Sequence, residues 1–309
     1  MKRLPLKKTV GVQSAPRKVE ISGGAMHKLR PPWLMVLLVT LLFSYGLPLT
    51  ADDAPALSKE QIKQFLLTAK IVGSHGSKKG VTNTQRLTLS DGTITHDASF
   101  QAIDEHTNVK KFGDGHAEVN FVDSYKYNIA AYILAELVGF DDMMPVYVER
   151  KYQDKNGSLS WWLTVKMDDA ERFAKKIEPP DPDAWNNQMY KVRVFDELVY
   201  DNDPNLTNVL ISADWKIWRI DFSRGFRTFH ALRDPKNLVR CDRHMFEQLK
   251  ALNADELTAK AKTYLTKDEI QAVMARRDLI VQFFQKRIAE KGEAEVLYGN
   301  RASSSRPST

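Results

Sequence analysis

The order of segments in this sequence predicts a two-lobed α+β architecture, a small β-rich lobe followed by a larger helical one. Three observations predict it. Short apolar segments punctuated by Gly, Asn and Asp turn signals crowd between residues 69 and 165. Helical stripes dominate from Asp242 to Lys291. Between them, a short hairpin is flanked by two acid-and-amide signatures, Asn202-Asp203-Pro204-Asn205-Leu206-Thr207-Asn208 and Ile220-Asp221-Phe222-Ser223-Arg224.

Residues 1–51 read as a leader. They hold eight basic residues against one acid, Glu20, a net of +7, so the whole chain's +6 leaves −1 for residues 52–309. A nearly neutral body gives a nucleic-acid partner no bulk electrostatic support. Met26-His27-Lys28-Leu29-Arg30, the apolar run from Trp33 to Tyr45, and Ala51 before Asp52-Asp53 have the layout of a secretory signal, with Met26 the expected true start. An uncleaved anchor over residues 33–49 is the alternative, since about 17 apolar residues is a marginal span. Only that anchor would touch a membrane, and either way the body faces its far side. Cys241 is the only cysteine, so neither an intrachain disulfide nor a Cys-based metal site is available. An exported domain without disulfides suits a bacterial periplasm or a secreted location.

In the first lobe, 52–166, Ser58-Lys59-Glu60-Gln61 opens a helix with a capping-box pattern. A strand over 69–72 leads into a loop carrying Gly73, Gly76 and Gly80 around Lys78-Lys79. Glycines let backbone N–H groups approach phosphates; a plain surface loop is the other reading. Strands over 86–89 and 93–103 flank the turn Ser90-Asp91-Gly92. Residues 104–123 read as polar and irregular. Ile129, Tyr132, Ile133 and Leu137 form a helical stripe that Gly139 is placed to end. Strands over 146–148 and 159–165 are expected to join through Asn156-Gly157.

In the second lobe, 167–300, a helix over 168–176 and the proline-broken connection 178–183 precede a long helix from Asn187 to Tyr200. That helix delivers the chain to Asp203. Val209-Leu210-Ile211 and Trp215-Lys216-Ile217-Trp218-Arg219 then form a hairpin that brings Asn208 near Asp221. Helices follow at about 242–252, 254–264 and 267–291, and residues 301–309 read as a disordered tail. A carboxylate can orient or deprotonate a hydroxyl, and an amide with a carboxylate can share a hard cation with phosphates. An Asx-rich turn is the plain alternative for Asn202 to Asn208.

Asp-x4-Asn, a hairpin and Asp-Phe resemble the way protein-kinase-like folds build a base and a two-ligand magnesium site. Over residues 65–295 the chain is similar to the atypical kinase superfamily, in pattern to HipA-like and phosphatidylinositol-kinase-like domains and exported bacterial relatives. Ile129-Ala130-Ala131-Tyr132, Leu137-Val138-Gly139 and Met144-Pro145 resemble that superfamily's Glu-x-Ala-Ala-Tyr…Leu-Gly…Val-Pro run. The resemblance implies ATP with Mg2+ or Mn2+ as cofactors, Asp203 as base, and Asn208 and Asp221 as metal ligands. It puts Gly73, Gly76, Gly80 and Gln101 at the nucleotide. Gln101 stands where the family's lysine grips phosphate, Asn128 where its glutamate partner stands, and Pro204 where many relatives are basic. The implied function is an exported phosphotransferase acting on a protein or small-molecule acceptor. A non-catalytic pseudokinase scaffold and a nucleotidyl transferase are the alternatives.

Overall fold

The computed structural model of the chain describes residues 57–76 and 84–299. The leader 1–51, Gly80 with Lys78 and Lys79, and the 301–309 tail lie outside the described residues. Helix α1 (Lys59–Thr68) starts from the expected capping box, with Ser58 and Gln61 each accepting from the other's backbone. It buries Phe65 and Leu66 against a five-stranded antiparallel sheet. That sheet runs β1 (Lys70–Gly76), β2 (Gln85–Ser90), β3 (Thr95–Gln101), β7 (Lys155–Trp161), β6 (Tyr147–Tyr152) in spatial order.

Three expectations for this region need correction. Gly73 and Gly76 are strand residues rather than loop residues: Gly73 sits where the register slips in β1, and Gly76 pairs with Gln85. The β6–β7 turn is not at Asn156-Gly157 but at Gln153 and Asp154, both with left-handed φ (47° and 62°), as a tight hairpin turn requires. Gly157 instead lies in the ladder, where a Cβ would come within 2.6 Å of the Gln101 carbonyl oxygen and 2.7 Å of the Phe100 ring. It is glycine because the neighbouring strand passes too close for a side chain. Finally, residues 104–124 form an ordered hairpin, β4 (Asp104–Lys111) and β5 (Ala117–Ser124), paired from Asp104↔Ser124 to Lys111↔Ala117. Val109 and Val119 stay exposed and, of the apolar residues on their face, only Phe121 is buried, so the hairpin packs on the core at one end alone.

Helix α2 (Tyr125–Val138) follows at once and is buried on nearly all sides. Gly139 ends it at φ 69°, where a Cβ would meet the His244 ring at 2.7 Å. The short strand β8 (Met167–Asp168) joins helix α3 (Asp169–Ala174), capped by Asp168. Helix α4 (Pro182–Val199) begins earlier than Asn187, because Asp181 caps it and Pro182 occupies its first turn, where a missing N–H is harmless. Strands β9 (Val209–Ile211) and β10 (Ile217–Arg219) make the expected hairpin, and β9 also pairs with β8. After β11 (Cys241–Asp242) come α5 (Arg243–Ala251), α6 (Ala254–Ala261), the 25-residue α7 (Lys267–Lys291), α8 (Glu293–Val296) and β12 (Leu297–Tyr298). A sheet-rich N-terminal part and a helical C-terminal part share one core, from Leu87 and Leu159 through Leu134 to Phe195, Phe222 and Phe284. Among the described residues no helix is long and apolar enough to cross a membrane.

Candidate active site

The centre of the site is built by the end of α4, the loop after it and the β9–β10 hairpin. Tyr200 ends α4 in the left-handed conformation, and Asp201 turns inward, fully buried. Its carboxylate accepts the Asp203 backbone N–H at 3.1 Å, which fixes the loop while the Asp203 side chain stays exposed. Asn205 accepts the Thr207 N–H at 3.0 Å, a local turn that leads to Asn208. Across the hairpin, the Ile220 N–H donates to the Asn208 carbonyl at 3.0 Å. Asn208 and Asp221 are therefore neighbours, as the sequence predicts, with Asp203 at the head of the same loop.

Arg219 ties these pieces together. It is fully buried, pairs with Asp201 and with Asp196 at 3.1 Å, and donates to the Ile220 and Asn208 carbonyls. Burial opposes its charge, but Asp196, Asp201 and Asp221 outweigh that and raise its pKa. Burial in turn pushes Asp196 up to about 6 against the pull of Arg219. Arg276 of α7 performs a similar service behind the site, donating to the Leu198, Arg227 and Phe229 carbonyls at 2.9, 2.8 and 2.6 Å.

Asp221 adopts φ 59°, a left-handed backbone uncommon for a residue with a side chain. It is held there because Phe222 is buried edge-on to Phe195 at 5.3 Å and beneath the Arg219 guanidinium at 4.6 Å. One Asp221 carboxylate oxygen, Oδ1, is buried with no hydrogen-bond partner among the described residues. Orphaned buried carboxylate oxygens are costly unless a cation or donor completes them. That is the observation by which a divalent cation fits this site.

Above Asp221, the side chains of β3 and α2 meet. Asn128 donates to Gln101 at 2.5 Å and accepts the Phe222 N–H at 2.7 Å. Gln101 is buried beside Asn128, as strand alternation and the resemblance imply. The pair is neutral. Beside it, Asp123 at the end of β5 is also buried, with its own Oδ1 unpartnered. Burial, then the charges of Asp221 and Glu105, push its pKa up against the nearby Ser223 hydroxyl and Arg224. A surface hollow between α1 and the β2–β3 turn, and another on the β4–β5 hairpin, include none of these groups.

No family model matches the chain, and no curated protein matches it in sequence. Among solved structures it is similar to a hydra Fam20 determined with sugar, with a TM-score of 0.56 at 17% identity, covering 78% of this chain and 93% of that one. The chain shares the fold of that structure. A weaker likeness, TM-score 0.45 at 9% identity, is to the Helicobacter pylori proinflammatory kinase CtkA, covering 73% of this chain and 97% of that one.

Within this fold the structure brings Asn208 and Asp221 together, puts Gln101 against Asn128, and leaves Gly73 and Gly76 in a strand. Sequence reading missed Arg219, Asp123 and Glu118. Glu118 of β5 pairs with Arg224 and with Arg227 at 3.0 Å, and accepts the Asn202 amide at 3.0 Å. An arginine directly before Ile220-Asp221 is a signal for Arg219, given three aspartates within reach. The short alternation Ala117, Val119, Phe121 is the signal that Glu118 and Asp123 lie on a strand, but nothing local brings them to Arg224 and Asp221.

Proposed function

We propose that the chain is an exported kinase-like phosphotransferase, periplasmic or secreted, using ATP with Mg2+ or Mn2+ on a protein or small-molecule hydroxyl acceptor. The observation that carries this reading is Asp221, in a left-handed backbone with a buried, unsatisfied oxygen, next to Asn208 and on the loop side of exposed Asp203. Asp221 and Asn208 would hold the cation, and Asp203 would accept the proton of the attacking hydroxyl. When bound, the cation neutralises phosphate charge. Arg219 fixes the loop and hairpin so that these groups need little rearrangement. Export rests on the basic and apolar layout of residues 26–51.

A pseudokinase is the second reading, and the Gln101–Asn128 bond favours it. Those two amides satisfy each other and supply no charge to phosphate. Nucleotidyl transfer on the same site is a variant of the first reading that product analysis would distinguish. Calorimetry with ATP and Mg2+ or Mn2+ tests the proposal. Wild type should bind nucleotide only with metal, Asp221→Ala should lose that binding with its melting temperature retained, and Asp203→Ala should bind but transfer nothing. Absence of metal-dependent binding by wild type would overturn the catalytic reading and leave the pseudokinase.

A further inference from the structure

Asp123 and Asp221 come from different parts of the chain and meet where β5 crosses the Asp221-Phe222-Ser223 segment. The crossing is pinned by the Ser124 N–H donating to the Ser223 carbonyl at 2.8 Å. Among the described residues each of the two aspartates keeps its Oδ1 buried and unpartnered, and Asp123 is only 6% exposed. Two carboxylates in electrostatic contact, each with a buried oxygen, call for positive charge between them.

Among the described residues no cation hydrogen-bonds either of these oxygens. Arg224 is close enough to act on Asp123, but its terminal nitrogen holds Glu118 and its Nε donates to neither carboxylate. Arg219 acts on Asp221 through space, but its ion-pair contacts go to Asp196 and Asp201. Lys126 holds Asp104 at 2.8 Å and Lys110 holds Glu105 at 2.5 Å. At the head of the cleft, Gln101 and Asn128 are neutral.

We propose that Asp123 is a further metal ligand, sharing one divalent cation with Asp221 through their two unsatisfied carboxylate oxygens. The inference rests on the proposed role of Asp221 and adds a ligand from the β4–β5 hairpin. Two carboxylates suit Mg2+ or Mn2+, which take a few protein oxygens and leave the remaining positions to water and phosphate. The hairpin thereby becomes part of the site, and the cation takes over the charge that a lysine at position 101 would have carried.

The test is Mn2+ binding to the full chain without nucleotide, followed by electron paramagnetic resonance and by the metal-induced rise in melting temperature. Asp123→Asn should weaken Mn2+ at least tenfold and lose most of that rise. In metal-free buffer it should melt no lower than wild type, because a buried like-charge contact has been removed. Asp123→Ser gives the same readings if the Asn variant fails to fold. Wild-type Mn2+ affinity in both Asp123 variants, with Asp221→Asn deficient, would overturn the role of Asp123 and leave that of Asp221 standing. Unchanged binding in Asp221→Asn as well would overturn both.

Discussion

Asn128 joins three segments through one side chain. Its amide nitrogen donates to Gln101 of β3, its oxygen accepts the Phe222 N–H, and its backbone belongs to α2. The Phe222 N–H is buried, and losing its acceptor leaves it unsatisfied. Asn128→Ala should therefore cost about 1–3 kcal/mol of stability, read as a lower denaturant midpoint at unchanged slope. A loss below about 0.5 kcal/mol would mean that Phe222 finds another acceptor, within the range of ordinary surface substitutions. The same three-way contact explains why Asp221 keeps its left-handed backbone: the residue after it is held at its N–H by Asn128 and at its ring by Phe195 and Arg219.

The β4–β5 hairpin is the element that most changes the reading of the molecule. Its Glu118 reaches the loops on both sides of the β9–β10 hairpin, through Asn202 on one and Arg224 and Arg227 on the other. Glu118→Gln leaves two arginines without their carboxylate at a site only 14% exposed. The expected cost is about 1.5–3 kcal/mol, the range for hydrogen bonds to charged groups. Faster proteolysis within residues 104–124 should accompany it. Unchanged stability together with unchanged cleavage would show that the hairpin is held by its Phe121 contacts and by the Ser124–Ser223 bond alone.

Across the whole molecule the two parts are fastened through α2. Tyr127 donates to Glu269 of α7, while Tyr125 and Tyr264 donate to Glu149 of β6 at 2.9 and 3.3 Å. With one continuous core beneath these contacts, the described region should unfold in a single transition. Far-ultraviolet dichroism and tryptophan fluorescence should give coincident melting curves, since Trp161 lies in the sheet and Trp185 in α4. Two separated transitions would mean that the sheet-rich and helical parts fold independently.

The sequence by itself determined the succession of sheet and helices, the capping of α1, the β9–β10 hairpin and the nearness of Asn208 to Asp221. It also anticipated the Gln101–Asn128 pairing, through the resemblance. These depend on apolar periodicity, turn chemistry or spacing along one short segment, all of which are local. Only the tertiary structure decided that Gly157 is glycine for a close strand approach, that Gln153 and Asp154 make the turn, and that β4–β5 is a hairpin. It alone brought Asp123 to Asp221 and Glu118 to Arg224. Those contacts join residues about a hundred positions apart. A local alternation can put a carboxylate on a strand but does not name the distant loop that buries it, so its role could be read only once the chain had folded over it.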